Sequence, residues 1–234
     1  MIVITGASEG IGYACAKAVL ERTSVAVLLT GRSAQKLQSA HETLAREHRE
    51  RVQTRVSDHG DAAAVNELIT TLTAPGVTLD AAILTVGANP LYSGRPARLH
   101  TLDQATIDAT VRTNCTHTLY LAAALLGLFR RQHRGVLVLI GSQAARIGLP
   151  GATVYCATKA FLSGLAITAH REYAGHGVRV HLLHPGLVRT PRTAAVADGF
   201  AARHGLVVSE AGDVASRVID VLLAGEGARV EMDL

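Results

Sequence analysis

Tyr155 and Lys159 stand four residues apart in the run Tyr-Cys-Ala-Thr-Lys, a spacing that puts a phenol and an ammonium on one face of a helix. Of the 23 basic Lys and Arg residues only three are lysines, Lys17, Lys36 and Lys159, so an ammonium here departs from the chain's own preference for arginine. A compact ammonium acts as a point charge where a guanidinium would act as a planar fork. Held beside a phenol it favours the phenolate and draws the tyrosine pKa toward neutrality, where the oxygen can give or take a proton. A Tyr and a Lys at this spacing also occur by chance on amphipathic helices, so the pair needs support from elsewhere.

That support begins at the first residues. Ile2-Val3-Ile4 reads as a short apolar strand, followed by Thr5-Gly6-Ala7-Ser8-Glu9-Gly10-Ile11-Gly12 and a helical stretch to about Arg22. Glycines at 6, 10 and 12 permit a tight turn and let backbone approach a pyrophosphate, which the amides and positive dipole end of the next helix attract. A purely structural turn is the alternative, and the spacing differs from the Gly-x-Gly-x-x-Gly of other dinucleotide folds.

With Ser142 and Tyr155 added, the pattern resembles the short-chain dehydrogenase/reductase family over nearly the whole chain. The family's Thr-Gly-x-x-x-Gly-x-Gly falls on Thr5 to Gly12, its helix asparagine on Asn114, its serine on Ser142, its Tyr-x-x-x-Lys on Tyr155 to Lys159, and its Pro-Gly with a following Thr on Pro185, Gly186 and Thr190. The resemblance implies that Gly6, Ser8, Gly10, Ile11 and Gly12 hold the cofactor's phosphates. It also implies that Tyr155 protonates a carbonyl oxygen, Ser142 donates a hydrogen bond to the same oxygen, Lys159 biases Tyr155 and holds the nicotinamide ribose, and Asn114 binds a water that reloads the proton. Val188 and Thr190 match the segment that touches the nicotinamide carboxamide. Asn114 is expected inside a helix opened by a capping box at Thr101-Leu102-Asp103-Gln104.

The residues after the second strand, Thr30-Gly31-Arg32-Ser33, include no carboxylate for a ribose diol, whereas Arg32 can pair with a 2′-phosphate; NADP(H) is therefore expected over NAD(H). Glu9 stands against this, since NADP-preferring relatives often carry a basic residue at its position. Asp58, after the third strand, matches the family's adenine-binding acid, with a helix N-cap as the equal alternative. The family's Asn-Asn-Ala-Gly is replaced by Leu84-Thr85-Val86-Gly87; by the resemblance the backbone at Thr85 and Gly87 is still expected to pass beside the adenosine ribose, but the asparagine bonds that steady the sheet must be absent or supplied otherwise.

The 234 residues, 48% hydrophobic, suffice for one core, so 1–234 is read as a single α/β domain: a doubly wound parallel sheet, the Rossmann fold, with helices on both faces. Strands are expected at Ile2 to Thr5, Val25 to Leu29, Val52 to Val56, Leu79 to Leu84, Val136 to Ile140, Val178 to Leu183 and Arg229 to Met232. Met1 leads directly into a strand, without a leader-like segment, and Cys15, Cys115 and Cys156 lack metal-ligand spacing; a cytoplasmic protein with reduced thiols and no metal is expected. The apolar run Leu119 to Phe129 is too short to cross a bilayer, so no membrane partner is expected. The net charge of +4 is spread over scattered arginines, against nucleic-acid binding.

Leu91, Tyr92, Ala144, Arg146, Ile147, Leu149 and Leu187 are expected to wall a mostly apolar pocket, and Pro191 to Ala197 to form a small lid. These fit a compact hydrophobic ketone, aldehyde or diketone, in a chain whose cast is similar to the benzil-reductase and sepiapterin-reductase-like branch. His184, before the Pro-Gly, and His117, His170 and His181 are read as core or surface residues. Relatives pair through the Asn114 and Tyr155 helices, which implies a homodimer, with a tetramer as the lesser alternative. An NAD(P)-dependent alcohol or hydroxysteroid dehydrogenase and a non-catalytic dinucleotide-binding regulator are the competing functions.

Overall fold

The computed structural model describes residues 1–93, 98–195, 197–204, 207–224 and 230–234. Strands and helices alternate from the start: β1 (Ile2–Thr5), α1 (Gly10–Arg22), β2 (Val27–Gly31), α2 (Ala34–His48), β3 (Val52–Val56), α3 (Ala62–Leu72) and β4 (Ala81–Leu84). There follow α4 (Gln104–Val111), α5 (His117–Gln132), β5 (Gly135–Ile140), the single turn α6 (Ala144–Ile147), α7 (Thr153–Tyr173) and β6 (Val178–His184). The chain ends with β7 (Leu187–Arg189), α8 (Ala197–His204), β8 (Val208–Glu210), α9 (Ala211–Leu223) and β9 (Glu231–Asp233).

Seven strands form one parallel sheet in the order β3-β2-β1-β4-β5-β6-β9. The chain winds outward from β1 to β3, returns to β4 beside β1, and winds outward again, so the crevice lies at the carboxyl ends of β1 and β4. Because both faces are covered, β1, β4 and β5 are buried along their whole length and read as unbroken apolar runs rather than alternating ones. Alternate side chains feed two separate cores. Ile2, Ile4, Leu29, Ile83 and Val138 pack with α1, α2 and α9; Val3, Leu28, Leu84, Leu137 and Leu139 pack with α3, α5 and α7.

Several boundaries differ from expectation. β2 starts at Val27 rather than Val25, because the Thr23 hydroxyl closes the end of α1 by donating to Val19 O and accepts the Val25 N–H, turning that residue away from the ladder. β4 starts at Ala81 because the Gln132 carboxamide occupies both backbone groups of Leu79. β9 runs to Asp233, and Arg229 of the expected last strand lies outside the described residues. The pair β7–β8 was not foreseen: three residues each carry too little periodicity to stand out. The helix before Asn114 is capped by Asp103, whose side chain accepts the Thr106 N–H, and Thr101 belongs to the preceding 3-10 turn.

Where the family's asparagines are missing, two threonines join β1 to β4. The Thr85 hydroxyl donates to Thr5 O at 2.6 Å, and the Thr85 N–H donates to the Thr5 hydroxyl at 3.1 Å. Thr5 is wholly buried, so an acceptor left without its donor there has no water to turn to. Thr85→Val keeps the shape and removes that donor; urea unfolding should show a loss of about 1–3 kcal/mol, and an unchanged midpoint would show that the bond does not steady the sheet.

Candidate active site

The expected site residues converge on the carboxyl edge of the sheet. Gly6 and Gly10 adopt φ +63° and +62°, which side chains strongly disfavour, and a Cβ on Gly12 would stand 2.5 Å from Gly6 O. Backbone therefore closes on backbone, leaving the turn lined by amides. Glu9, the N-cap of α1, makes no side-chain capping bond, and the first turn of α1 carries no acidic residue. Its amides face a groove of ≈ 680 Å³ whose walls include Ser8, Glu9, Gly10, Lys36 and Thr190. A cofactor's pyrophosphate fits this cradle in both shape and charge. The Glu9 carboxylate is turned to Lys36 at 2.6 Å.

Lys159 is buried to 3% exposure, and its ammonium donates to Ile140 O at 2.8 Å. Burial pushes its pKa down to about 8 from 10.5, opposed by the nearby Cys115 thiol. Its Nζ lies 5.8 Å from the centre of the half-buried Tyr155 ring, one helical turn earlier on α7. A Cβ on Gly87 would come to 3.0 Å from the same Nζ, so the glycine lets the loop after β4 pass close beside the ammonium.

Asn114 sits in a turn of π-helix, Arg112–Thr116, between α4 and α5. Such a bulge commonly marks a functional position. The Asn114 carboxamide grips the loop after β4 from both sides: Oδ1 accepts Ala88 N–H at 2.7 Å and Nδ2 donates to Ala88 O at 2.8 Å. Nδ2 also donates to the Thr158 hydroxyl, which donates to Tyr155 O. These bonds make Asn114 a brace between the loop after β4 and the helix that carries Tyr155.

Ser142 lies two residues past β5, with its hydroxyl accepting Ala144 N–H at 3.2 Å. Gln143 N donates to Pro185 O, which sets the serine loop against Pro185 and Gly186. Val188 is buried in β7, and the Thr190 methyl lies 3.3 Å from a Cβ placed on Gly10, which brings the segment after Pro185 against the glycine turn. Arg192, in the expected lid, donates to Gly87 O across the crevice at 3.1 Å. Val196 of that lid and the Tyr92 side chain lie outside the described residues.

Asp58 does not cap a helix: it accepts Gly60 N–H within its own turn, and Asp61 caps α3. Arg146, taken for a pocket wall, instead pairs with Glu231 and Asp233. Arg32 is exposed just past β2. Sequence reasoning passed over Thr158, Thr193 and Glu231, although an acid in the short final segment was a legible signal. Thr193 donates to Val188 O at 2.6 Å and so holds the loop carrying Thr190.

Residues 1–199 match the short chain dehydrogenase family. The chain is similar to the NADP-dependent 3-hydroxy acid dehydrogenase YdfG of Salmonella typhi, 29% identical over 192 residues, covering 80% of this chain and 72% of that one. It is 32% identical over 187 residues to 2,3-dihydro-2,3-dihydroxybenzoate dehydrogenase of Escherichia coli, covering 80% and 68%. Among solved structures, a short chain dehydrogenase from Burkholderia cenocepacia in complex with NADP superposes with a TM-score of 0.84 at 27% identity, over 100% of this chain and 94% of that one.

The buried ammonium has a measurable signature. Between about pH 8 and 10.5 the unfolded chain holds the Lys159 proton more tightly than the folded one, so this residue makes unfolding free energy rise with pH over that window. Wild type should gain on Lys159→Met by up to roughly 3 kcal/mol across it in the cofactor-free protein. A difference that does not change with pH would mean that the ammonium is not desolvated.

Proposed function

The chain belongs to the short-chain dehydrogenase/reductase family, whose oxidoreductases act at CH–OH and C=O carbons, and from that premise we propose that it reduces a small hydrophobic ketone, aldehyde or diketone with NADPH. The observation that carries the reading is the buried Lys159 ammonium, fixed by Ile140 O with the Tyr155 ring 5.8 Å away. A sensor of the dinucleotide would not need a desolvated cation beside a phenol.

When bound, NADPH supplies the hydride that a carbonyl carbon accepts. The chain does the rest. Lys159, charged below about pH 8, stabilises the Tyr155 phenolate that is left when the tyrosine proton passes to the carbonyl oxygen. Ser142 donates its hydroxyl to the same oxygen and fixes its direction. Gly6, Ser8, Gly10, Ile11 and Gly12 hold the phosphates, Thr85 and Gly87 pass the ribose, and Pro185, Gly186, Val188 and Thr190 hold the nicotinamide amide. Asn114 holds the Ala88 loop and the Tyr155 helix at a constant separation, which keeps the proton donor in place through turnover.

NADPH over NADH is supported by Arg32 and by the absence of an acid at the end of β2, with Lys36 neutralising Glu9. Solved relatives at 25% and 27% identity carry NADP. Ala144, which is buried, and Leu91, which stands 3.6 Å from a Cβ placed on Gly151, give the substrate side an apolar cast. Leu119, Tyr120, Phe161 and Ile167 are exposed on α5 and α7, the helices through which a homodimer would form. A cytoplasmic setting fits the three free cysteines, and no described helix is long and apolar enough to cross a membrane.

NADPH oxidation against a panel of ketones, aldehydes and aromatic diketones tests the reading. Tyr155→Phe should cut turnover on the order of 10²–10⁴-fold while NADPH still binds; tight NADPH binding with no turnover of any carbonyl would favour the regulator. In the same preparation, NADPH should bind at least about tenfold tighter than NADH, a gap of ~1.4 kcal/mol. Arg32→Ala should close most of that gap, and equal affinities in the unaltered protein would remove the 2′-phosphate assignment.

A further inference from the structure

Behind Ser142 lies a polar cluster that the reductase reading does not use. His184, the last residue of β6, is fully buried, and its Nε2 lies 2.6 Å from Glu231 Oε1 on β9. The Glu231 carboxylate also accepts the Ser163 hydroxyl of α7 at 2.6 Å and pairs with Arg146 of α6 at 3.0 Å. Partial burial pushes the Glu231 pKa up, but the bonds from Ser163 and His184 and the charge of Arg146 outweigh it and hold the group below the usual carboxylate range. One carboxylate thus ties together the helix that carries Tyr155 and Lys159, the turn that follows Ser142, and the strand that leads into Pro185.

The other face of the imidazole meets the serine itself. His184 Nδ1 lies 3.3 Å from Ser142 N and 3.1 Å from Ser142 O. Nδ1 is thus within hydrogen-bond reach of both backbone groups of Ser142, accepting its N–H when Nδ1 carries no hydrogen and donating to its carbonyl oxygen when it does. The approach requires the residue before the serine to lack a side chain: a Cβ on Gly141 would come within 2.7 Å of Nδ1. Gly141 N donates to Leu183 O at 2.7 Å, and the Gln143 carboxamide donates to Leu234 O at 2.8 Å, so the loop is held on both sides of Ser142 by β6 and the last residues of the chain.

We infer that His184 and Glu231 form a positioning dyad for Ser142, setting the direction of the serine hydroxyl through its backbone and coupling the C-terminal strand to the active site. The ring bonds to the serine backbone and not to its hydroxyl, so it relays no proton. Its contribution is orientation, and a displacement of about 1 Å at a catalytic group can cost on the order of 10²-fold in rate. Glu231 fixes the ring so that the same nitrogen always faces Ser142. The inference deepens the proposed reductase reading and rests on it for its kinetic test.

That test is a double-mutant cycle on a carbonyl that the native enzyme reduces. His184→Ala should lower kcat about tenfold or more while NADPH affinity, read by fluorescence, is unchanged. In a Ser142→Ala background the same substitution should cost less than about twofold, since its effect acts through the serine. Equal losses in both backgrounds would overturn the inference. Glu231→Gln keeps the Oε1 acceptor and should retain most of the native kcat, whereas Glu231→Ala should match His184→Ala; a Glu231→Gln as slow as Glu231→Ala would also count against the dyad. If His184→Ala does not fold, His184→Asn, which keeps a polar atom near the Nδ1 position, takes its place and should lie between native and Glu231→Ala. Hydrogen exchange at amides 141–143 needs no turnover: faster exchange there in Glu231→Ala, with the remaining sheet protected as in native protein, supports the dyad, and unchanged exchange refutes it. Should the native protein reduce no carbonyl, the reductase reading fails while the exchange result still decides the dyad.

Discussion

The geometry of the site hangs on the hydrogen bond from the Lys159 ammonium to Ile140 O at 2.8 Å. A fully buried ammonium is costly, and only a fixed acceptor and local dipoles make it tolerable. Ile140 ends β5 two residues before Ser142, and Lys159 follows Tyr155 by one helical turn, so this bond sets the distance between the serine and the tyrosine proposed to serve the same oxygen. Gly87 lets the opposite loop pass close to Nζ, where an added Cβ would stand 3.0 Å away. Asn114 braces that loop at Ala88 and through Thr158 reaches the tyrosine helix. A mid-helix asparagine is a weak helix former, and the π-turn accommodates it by turning its carboxamide toward backbone rather than solvent.

The same logic of pairing buried polar groups explains how the sheet survives without the family's asparagines. Thr5 and Thr85 exchange hydroxyl and amide bonds across β1 and β4, at the point where the winding of the sheet reverses and the crevice opens.

The parallel sheet was legible because strands covered on both faces must be continuous apolar runs, and Ile2-Val3-Ile4 or Val136 to Ile140 can hardly be anything else. The glycine turn and the Tyr155 and Lys159 pair were legible only together, because neither is uncommon alone and it was their joint occurrence with Asn114, Ser142 and the Pro185-Gly186 turn that set them apart. What escaped was set by partners distant in sequence. The starts of β2 and β4 depend on the Thr23 hydroxyl and the Gln132 carboxamide, and the pairing of β7 with β8 depends on how the segment between them folds back. Asp58 and Asp61 stand three residues apart and are equally able to cap; which one does so follows from the Gly60 turn between them. Glu231 gave a signal of type but not of place, because its partners Arg146, Ser163 and His184 come from three other elements.

At the adenosine end, charge rather than packing governs. A carboxylate at the start of α1 adds negative charge where phosphates must sit, and in isolation Glu9 would oppose them. Lys36, reaching back from the first turn of α2, meets that carboxylate at 2.6 Å. Both side chains are partly exposed, so the pair adds little to stability, yet it removes the local repulsion. The proposed 2′-phosphate preference then rests on Arg32, an exposed guanidinium whose attraction falls with ionic strength over a Debye length of about 8–10 Å. Preference built this way is graded and salt-sensitive, unlike that of a buried cation, and it is set independently of the chemistry proposed for the buried Lys159 and Tyr155.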